Sequence, residues 1–357
     1  MAINPSSLKC DQIAKYPVQA LYIGIQTPGT TSQLRGAALK RLLPHATWTQ
    51  IDTDSVFLQK PRWQRTLAFR LRTGPAVSAI NHLIRKQLNS APYDLIWVDK
   101  GAYLWPDTVK EIRRLGKVLI HYTPDTAFFA NESRFFDATI DRYDKVVTTK
   151  SFELDHYRNR IADDRLMLVT QSYDEQQHHV ECEFSQKRKE IVLVGLCEPD
   201  RERCVAALLQ QENQVRIGGR GWERFVSIHA NNPLLHFEGA TIFGQHYVQT
   251  LSRAALGLGL LTKRFPELHT TRTFEIPACG TALATVSNAE TTRFFTPNEV
   301  VFYEDYEALA HKAMTLLDSP AELQNITEAG HRRVRDGGFS NEQVLAKVLK
   351  ETGLIGQ

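Results

Sequence analysis

Along the chain, short apolar runs of strand length alternate with longer stretches in which apolar positions recur at helical spacing. In the first half, residues 18–25, 47–51, 93–99, 117–122, 144–149 and 166–170 read as strands. Runs such as 95–98 are apolar without alternation, as expected of strands covered on both faces. Between them, the Gln-Thr-Pro-Gly-Thr-Thr turn at 26–31 leads into a helix through Leu43, Pro106 opens and Gly116 ends a second, and Ser151 caps a third. The second half restarts at 190–195 and runs through a helix ending at Gln210, a glycine-rich strand end at 215–222, a helix at 244–253 and a buried strand at 255–261. A last short strand at 300–303 precedes three helical patterns at 307–317, 321–335 and 341–352. Strand and helix alternating in both halves imply two parallel sheets, each covered by helices on both faces.

Length agrees with that division, because 357 residues exceed one ordinary core. The expected domains are residues 1–172 and 189–340, joined by a polar, aperiodic linker at 173–188, with a terminal helix at 341–357 packing back toward the first. The apolar and charged fractions are those of a soluble globular protein. With no apolar run of membrane-spanning length and no signal-peptide pattern, a cytoplasmic protein is expected. Five cysteines without a Cys-x-x-Cys pair indicate neither a disulfide framework nor a zinc site. His178, His179 and Cys182 lie in the polar stretch without fixed geometry.

Charge changes the picture in one place. Between residues 55 and 93 there is no Asp or Glu, while Lys60, Arg62, Arg65, Arg70, Arg72, Arg85 and Lys86 stand among Phe57, Trp63, Leu67, Phe69 and Leu71. Such a segment suits an anionic membrane, at an inner membrane face for a cytoplasmic protein, or an acidic acceptor; the alternative is a solvated helical face. Nucleic acid is not an expected partner, because no recognition module accompanies the basic residues.

Candidate chemistry gathers at the carboxyl ends of the expected strands, where open α/β sheets bind ligands. The first strand-to-helix loop lacks Gly-x-Gly-x-x-Gly, which argues against a nicotinamide enzyme, but it places Gly29 and Thr30 there. Thr30 serves equally as a plain N-cap. Lys100 follows the third strand, and His121 and Asp125 bracket the end of the next. Either of the latter suits taking a proton from a bound hydroxyl, and a loop-capping Asp beside a satisfied His is the alternative. In the second half, residues 269–286 read as N-cap, short helix, glycine stop at Gly280 and buried strand. Arg272, Thr273 and Phe274 open that helix, whose free N–H groups suit a phosphate, and Glu275 suits a pair of ribose hydroxyls. Gly219 lets the backbone approach a ligand closely and Trp222 offers a flat face for a base, or else packs under the loop. Lys263 reaches the same sheet edge just upstream.

Two motifs carry a resemblance. Arg-Thr-Phe-Glu-Ile-Pro-Ala-Cys-Gly at 272–280 and Phe-Thr-Pro-Asn-Glu-Val-Val-Phe-Tyr-Glu-Asp at 295–305 resemble the C-terminal half of CgeB-like, spore-maturation glycosyltransferases. That family is similar to the broad group of nucleotide-sugar transferases with the GT-B fold, two Rossmann-like domains with parallel sheets facing across a cleft. The resemblance implies that Glu267 and Glu275 take the Glu-x7-Glu spacing of that group, with Glu275 on the ribose and Glu267 near the donor sugar. The group has Gly-Phe-Gly after its first Glu, whereas Leu268, His269 and Thr270 follow here. It further implies that Arg201, near a helix start after a Gly-ended strand, is a second diphosphate ligand. The implied activity is transfer of a sugar from a nucleoside diphosphate to a hydroxyl of a glycan, a lipid-linked glycan or a protein, leaning toward retention. Arg272, Arg201, Lys263 and the helix N-terminus supply positive field enough to expect no metal and no cofactor. A nucleotide-sugar epimerase and a non-catalytic nucleotide-sugar-binding protein share the donor pocket and remain the alternatives.

Overall fold

The computed structural model describes residues 18–88 and 92–356. Within these, the described residues of Met1–Thr170 and Glu342–Gln357 form one compact unit, and Gln171–Asn341 forms a second.

The first unit holds strands β1 (Gln19–Gly24), β2 (Thr47–Asp52), β3 (Tyr93–Asp99), β4 (Gly116–Thr123), β5 (Lys145–Thr148) and β6 (Leu166–Leu168). They make one sheet in the order β2-β1-β3-β4-β5-β6, and every pairing is parallel. Strand side chains alternate between faces. Leu21, Ile23, Ile96 and Val98 accordingly enter one core, and Ala20, Tyr22, Leu95 and Trp97 the other. The last helix, Asn341–Glu351, completes the second of these cores with Val344, Leu345, Val348 and Leu349, all buried. Burying such a side chain stabilises by roughly 1.5–3 kcal/mol, so four of them hold this helix as a part of the unit.

The second unit repeats the plan with β7 (Arg188–Val194), β8 (Val215–Gly218), β9 (Leu235–Phe237), β10 (Ala254–Leu258), β11 (Ala282–Val286) and β12 (Val301–Tyr303). Their order is β12-β11-β10-β7-β8-β9, again all parallel. Ile191 and Leu193 face one core and Val192 and Val194 the other.

Two stretches differ from their sequence pattern. Residues 173–188 read as a polar linker, yet they and the two residues before them are built into the second unit: Asp174 N donates to His178 Nδ1 at 3.0 Å, Gln171 N to His269 Nε2 at 2.9 Å, and Glu181 N to Ser252 Oγ at 2.8 Å. Their polar side chains are used internally, which an aperiodic pattern does not reveal. The basic stretch contains the helices Arg62–Leu71 and Pro75–Gln87. Not all of its charge is surface charge, since Arg72 is buried, donating to the carbonyls of Ala130 and Glu132 and to Tyr103 OH.

Candidate functional site

In the second unit the site is built on the carboxyl end of β7. The chain leaves that strand through Gly195, Leu196 and Cys197, and Pro199 starts the helix Pro199–Gln210, where its fixed φ and missing N–H cost nothing. Arg201, in the first turn, reaches back to donate from Nη1 to the carbonyl of Leu196 at 2.8 Å. Arg272, first residue of the helix Arg272–Ala278, donates from Nε to the carbonyl of Val194 at 2.6 Å. Both guanidinium groups are thus tied to the same strand end. Burial and then the neighbouring charge of Arg272 pull the pKa of Arg201 down, against the opposing pull of Glu198 and Glu267. The Nε of Arg201 is buried without a hydrogen-bond partner, and the closest carboxylate oxygen, on Glu198, lies 3.7 Å away. Glu198 is already shared with Arg264 Nε at 3.1 Å and with the Thr262 hydroxyl at 3.2 Å. Two crowded cations with an unmet donor suit an anion carrying several oxygens. Lys263 is exposed in the adjoining loop.

Glu275 lies one turn into the same short helix and is 6% exposed. Tyr247 OH donates to its Oε2 at 2.6 Å. His178, whose Nδ1 accepts from Asp174 N, turns Nε2 toward the other oxygen at 3.8 Å. The carboxylate is therefore braced on one side, leaving Oε1 the less engaged oxygen. Tyr247 and His178 carry no motif in the sequence.

Four expected donor-side residues are committed elsewhere. Trp222 is fully buried, donates from Nε1 to the carbonyl of Gly195 at 2.9 Å and packs edge-on against Phe225, so it offers no face to a base. Phe274 is fully buried and stacks on Phe339 with centroids 4.5 Å apart. The Thr273 hydroxyl accepts from Thr270 N at 3.1 Å inside the fold. Gly219 has φ of 128°, and a Cβ there would lie 2.1 Å from the carbonyl oxygen of Gly195. The close approach that demands glycine is to the protein's own backbone.

In the first unit, Lys100 and Asp125 are brought together from the ends of β3 and β4, with Nζ 2.8 Å from Oδ2 and both side chains partly exposed. Lys100 has φ of 69° and Gly101 follows at 56°, a left-handed turn that aims the lysine across the sheet edge. Burial works to raise the pKa of Asp125, but Lys100, then Lys150 and Arg35, outweigh it and hold the carboxyl below its ordinary value. His121 is buried, stacks on Phe136 at 4.2 Å and shares a hydrogen bond between Nε2 and the carbonyl of Lys100 at 3.0 Å. Burial lowers its pKa to about 4, so it is neutral near pH 7 and a weak base, better suited to a wall than to proton abstraction. Thr30 is the N-cap of the helix Thr31–Leu42: its hydroxyl donates to the Thr27 carbonyl at 2.8 Å and accepts from Gln33 N at 3.3 Å. Gly29 turns the same loop at φ of 79°.

Asp52, Thr53 and Asp54 form an Asp-x-Asp sequence that the metal-free expectation passed over. Asp52 Oδ1 accepts from the N–H groups of Gln26 and Asp54, both at 3.0 Å, and Asp54 Oδ2 accepts from the Thr27 hydroxyl at 3.0 Å. Burial above all, with Asp52 nearby, raises the Asp54 pKa. These carboxylates tie the loop after β1 to the end of β2, and among the described residues no group of three or more His, Cys, Asp or Glu side chains is placed to hold a metal ion. No helix among the described residues is long and apolar enough to cross a membrane.

Residues 201–350 match the profile of a family described as glycosyl transferase-like. Sucrose-phosphate synthase from Thermosynechococcus elongatus aligns with a TM-score of 0.64 at 14% identity, over 94% of this chain and 98% of that one. Anabaena Alr3699/HepE, solved in complex with UDP and glucose, aligns with a TM-score of 0.62 at 11% identity over 93% and 99%. A glycosyltransferase from Rickettsia africae ESF-5 gives 0.62 at 12% over 95% and 98%. No curated protein matches the sequence. Two six-stranded parallel sheets in an α/β protein define the GT-B fold seen in those structures. The chain accordingly has the GT-B fold, and its residues 201–350 carry the glycosyl transferase-like match.

Proposed function

We propose that the chain transfers a sugar from a nucleoside diphosphate, bound by the second unit, to an acceptor hydroxyl presented to the first. The observation that carries this reading is the pair Arg201 and Arg272 on one strand end, with an unpartnered guanidinium N–H. Folding works against that crowded charge, and a departing diphosphate is the group that neutralises it. Glu275, braced by Tyr247, is assigned to the ribose and Glu267, which acts electrostatically on Arg201, to the donor sugar side. Lys263 supplies further positive charge at the loop, and no metal is assigned a part. The Glu267 and Glu275 spacing favours retention of configuration. In that case Asp125, ionised and paired with Lys100, holds the acceptor hydroxyl in place; in an inverting reaction it takes the proton. The CgeB-like character rests on residues 272–280 and 295–305.

A thermal-shift series with UDP-, GDP-, ADP- and TDP-sugars tests the donor assignment, with UDP-sugars first because a structural neighbour was solved with UDP-glucose. One nucleotide series at a hundred times its Kd is expected to stabilise the protein by about 2.7 kcal/mol, and Glu275→Ala to abolish the shift. Equal stabilisation of variant and parent removes Glu275 from the site.

We also assign the helix Arg62–Leu71 to an anionic membrane face. Arg62, Trp63, Phe69 and Arg70 are exposed, with Trp63 64% and Phe69 57% accessible, and helical spacing puts all four on one side. Each basic residue near such a surface is worth about 1 kcal/mol, so Arg62→Gln with Arg70→Gln should weaken binding to phosphatidylglycerol vesicles roughly 30-fold. Equal sedimentation with neutral and anionic vesicles would overturn the assignment.

A further inference from the structure

The first unit encloses a cavity of about 470 Å³ at the carboxyl ends of its strands, within the size range of small-molecule sites. Its deep wall is apolar: Val98, Ile80, Leu104 and Phe136 line it and are buried. Of the polar groups that also reach it at depth, Asp99 and Arg72 are held by other protein groups, and His121 shares Nε2 with the Lys100 carbonyl and leaves only Nδ1 without a hydrogen-bond partner. Asp99 is held by Arg35 through two hydrogen bonds, at 2.8 and 3.0 Å. Arg72 directs its donors to the backbone of 130–132 and to Tyr103 OH. Polar atoms accessible to a ligand stand where the lining meets solvent, at Lys100 and Asp125, with side chains 35% and 42% exposed. Phe69 is also part of the lining, so the exposed aromatic face of the Arg62–Leu71 helix continues into the cavity.

We propose that this cavity takes the apolar body of the acceptor, an amphiphile whose hydroxyl stops at the Lys100–Asp125 pair. The name acceptor rests on the transferase reading; the amphiphile site itself does not. A fully polar sugar would lose water from every hydroxyl on entering, and the deep wall has too few uncommitted partners to replace it. An alkyl or aromatic group loses nothing there. Its hydroxyl meets a lysine that donates and a carboxylate that accepts, which fixes the reacting oxygen while the body fills the cavity. The apolar body has two sources, a lipid chain arriving along the Arg62–Leu71 helix or a soluble aromatic aglycone.

The test is calorimetric titration of the full chain with octyl glucoside below its micellar concentration, with phenyl glucoside and with glucose. Either apolar glucoside is expected to bind at least about tenfold more tightly than glucose. Tighter octyl binding identifies an alkyl body, and tighter phenyl binding an aromatic one. Ala102→Trp, which fills a partly exposed lining position, should weaken the preferred glucoside at least about tenfold while leaving the nucleotide-induced thermal shift unchanged. Phe69→Ser, at the exposed rim, should weaken it severalfold and decides the matter should Ala102→Trp fail to fold. Glucose binding as tightly as both glucosides, or binding unaltered in the folded variants, overturns the proposal. Octyl or phenyl glucoside binding without any nucleotide shift leaves the amphiphile site standing and removes the transferase reading.

Discussion

Arg201→Ala is expected to lower kcat/KM for the nucleotide sugar by about 10²–10³-fold, the usual cost of removing one donor aimed at developing charge, while the folded protein loses no stability. The two halves of this expectation come from one feature. The Arg201 guanidinium is charged in both the folded and the unfolded chain near pH 7, yet folding buries it and sets it beside Arg272, and both effects depress its pKa. A base whose folded pKa lies below its unfolded value opposes folding throughout the range where it is charged, so alanine at 201 relieves that opposition. The lost hydrogen bond to the Leu196 carbonyl, at a strand end open to water, offsets part of the gain. A structural arginine would behave in the opposite way: its removal would lower the melting temperature and leave turnover per folded molecule intact. Arg201→Lys separates charge from geometry, since lysine keeps the charge but lacks the fork that meets two oxygens. Steady-state kinetics together with thermal unfolding check this. Turnover within threefold of the parent in Arg201→Ala would remove the diphosphate assignment.

The fold was legible because buried parallel strands are written as continuous apolar runs, and Tyr93–Asp99 or Arg188–Val194 admits few other readings. β9 is not legible for the converse reason: Leu-His-Phe is three residues long, sits at the sheet edge and is only half buried, so no apolar run announces it. At the site, charged residues were easier to place than aromatic ones. An Arg near a helix start and a Lys after a strand are positioned by the α/β plan itself, and Arg201, Arg272, Lys100 and Asp125 all lie at strand ends. Trp222 and Phe274 lie at equally suggestive positions, but an aromatic ring serves a ligand or a core with the same residue, and here the core holds both. Tyr247 and His178 reach Glu275 from elements distant in sequence, across a segment whose polar composition hides its burial. The Asp-x-Asp at 52–54 was visible in the sequence, but that its carboxylates brace a loop is readable only from Gln26 and Thr27 beside them.

The second large effect concerns the ion pair beneath Lys100. Asp99 accepts from Arg35 Nε at 2.8 Å and from Nη2 at 3.0 Å, with the two side chains 4% and 0% exposed for Arg35 and Asp99 respectively. Burial opposes the charge on Arg35, and Asp99 more than restores it, lifting the guanidinium pKa above its ordinary value; Tyr122 lies under the same group at 4.9 Å. Asp99→Ala leaves that cation buried and alone, which costs about 3–5 kcal/mol, far more than a surface pair would. Converting both residues, as Arg35→Met with Asp99→Leu, should recover most of the loss, because apolar groups of similar volume remove the stranded charge as well as the pair. The same exchange should not recover activity. Asp99 is the last residue of β3, and its carboxylate clamps the strand end from which Lys100 and Gly101 turn left-handed toward Asp125. With that clamp gone, a stable protein with a displaced Lys100 is expected: urea unfolding near the parent's midpoint, with kcat/KM still depressed. A single Asp99→Ala variant as stable as the parent would show that Arg35 finds water or another acceptor, and the pair would then have no part in holding the acceptor side.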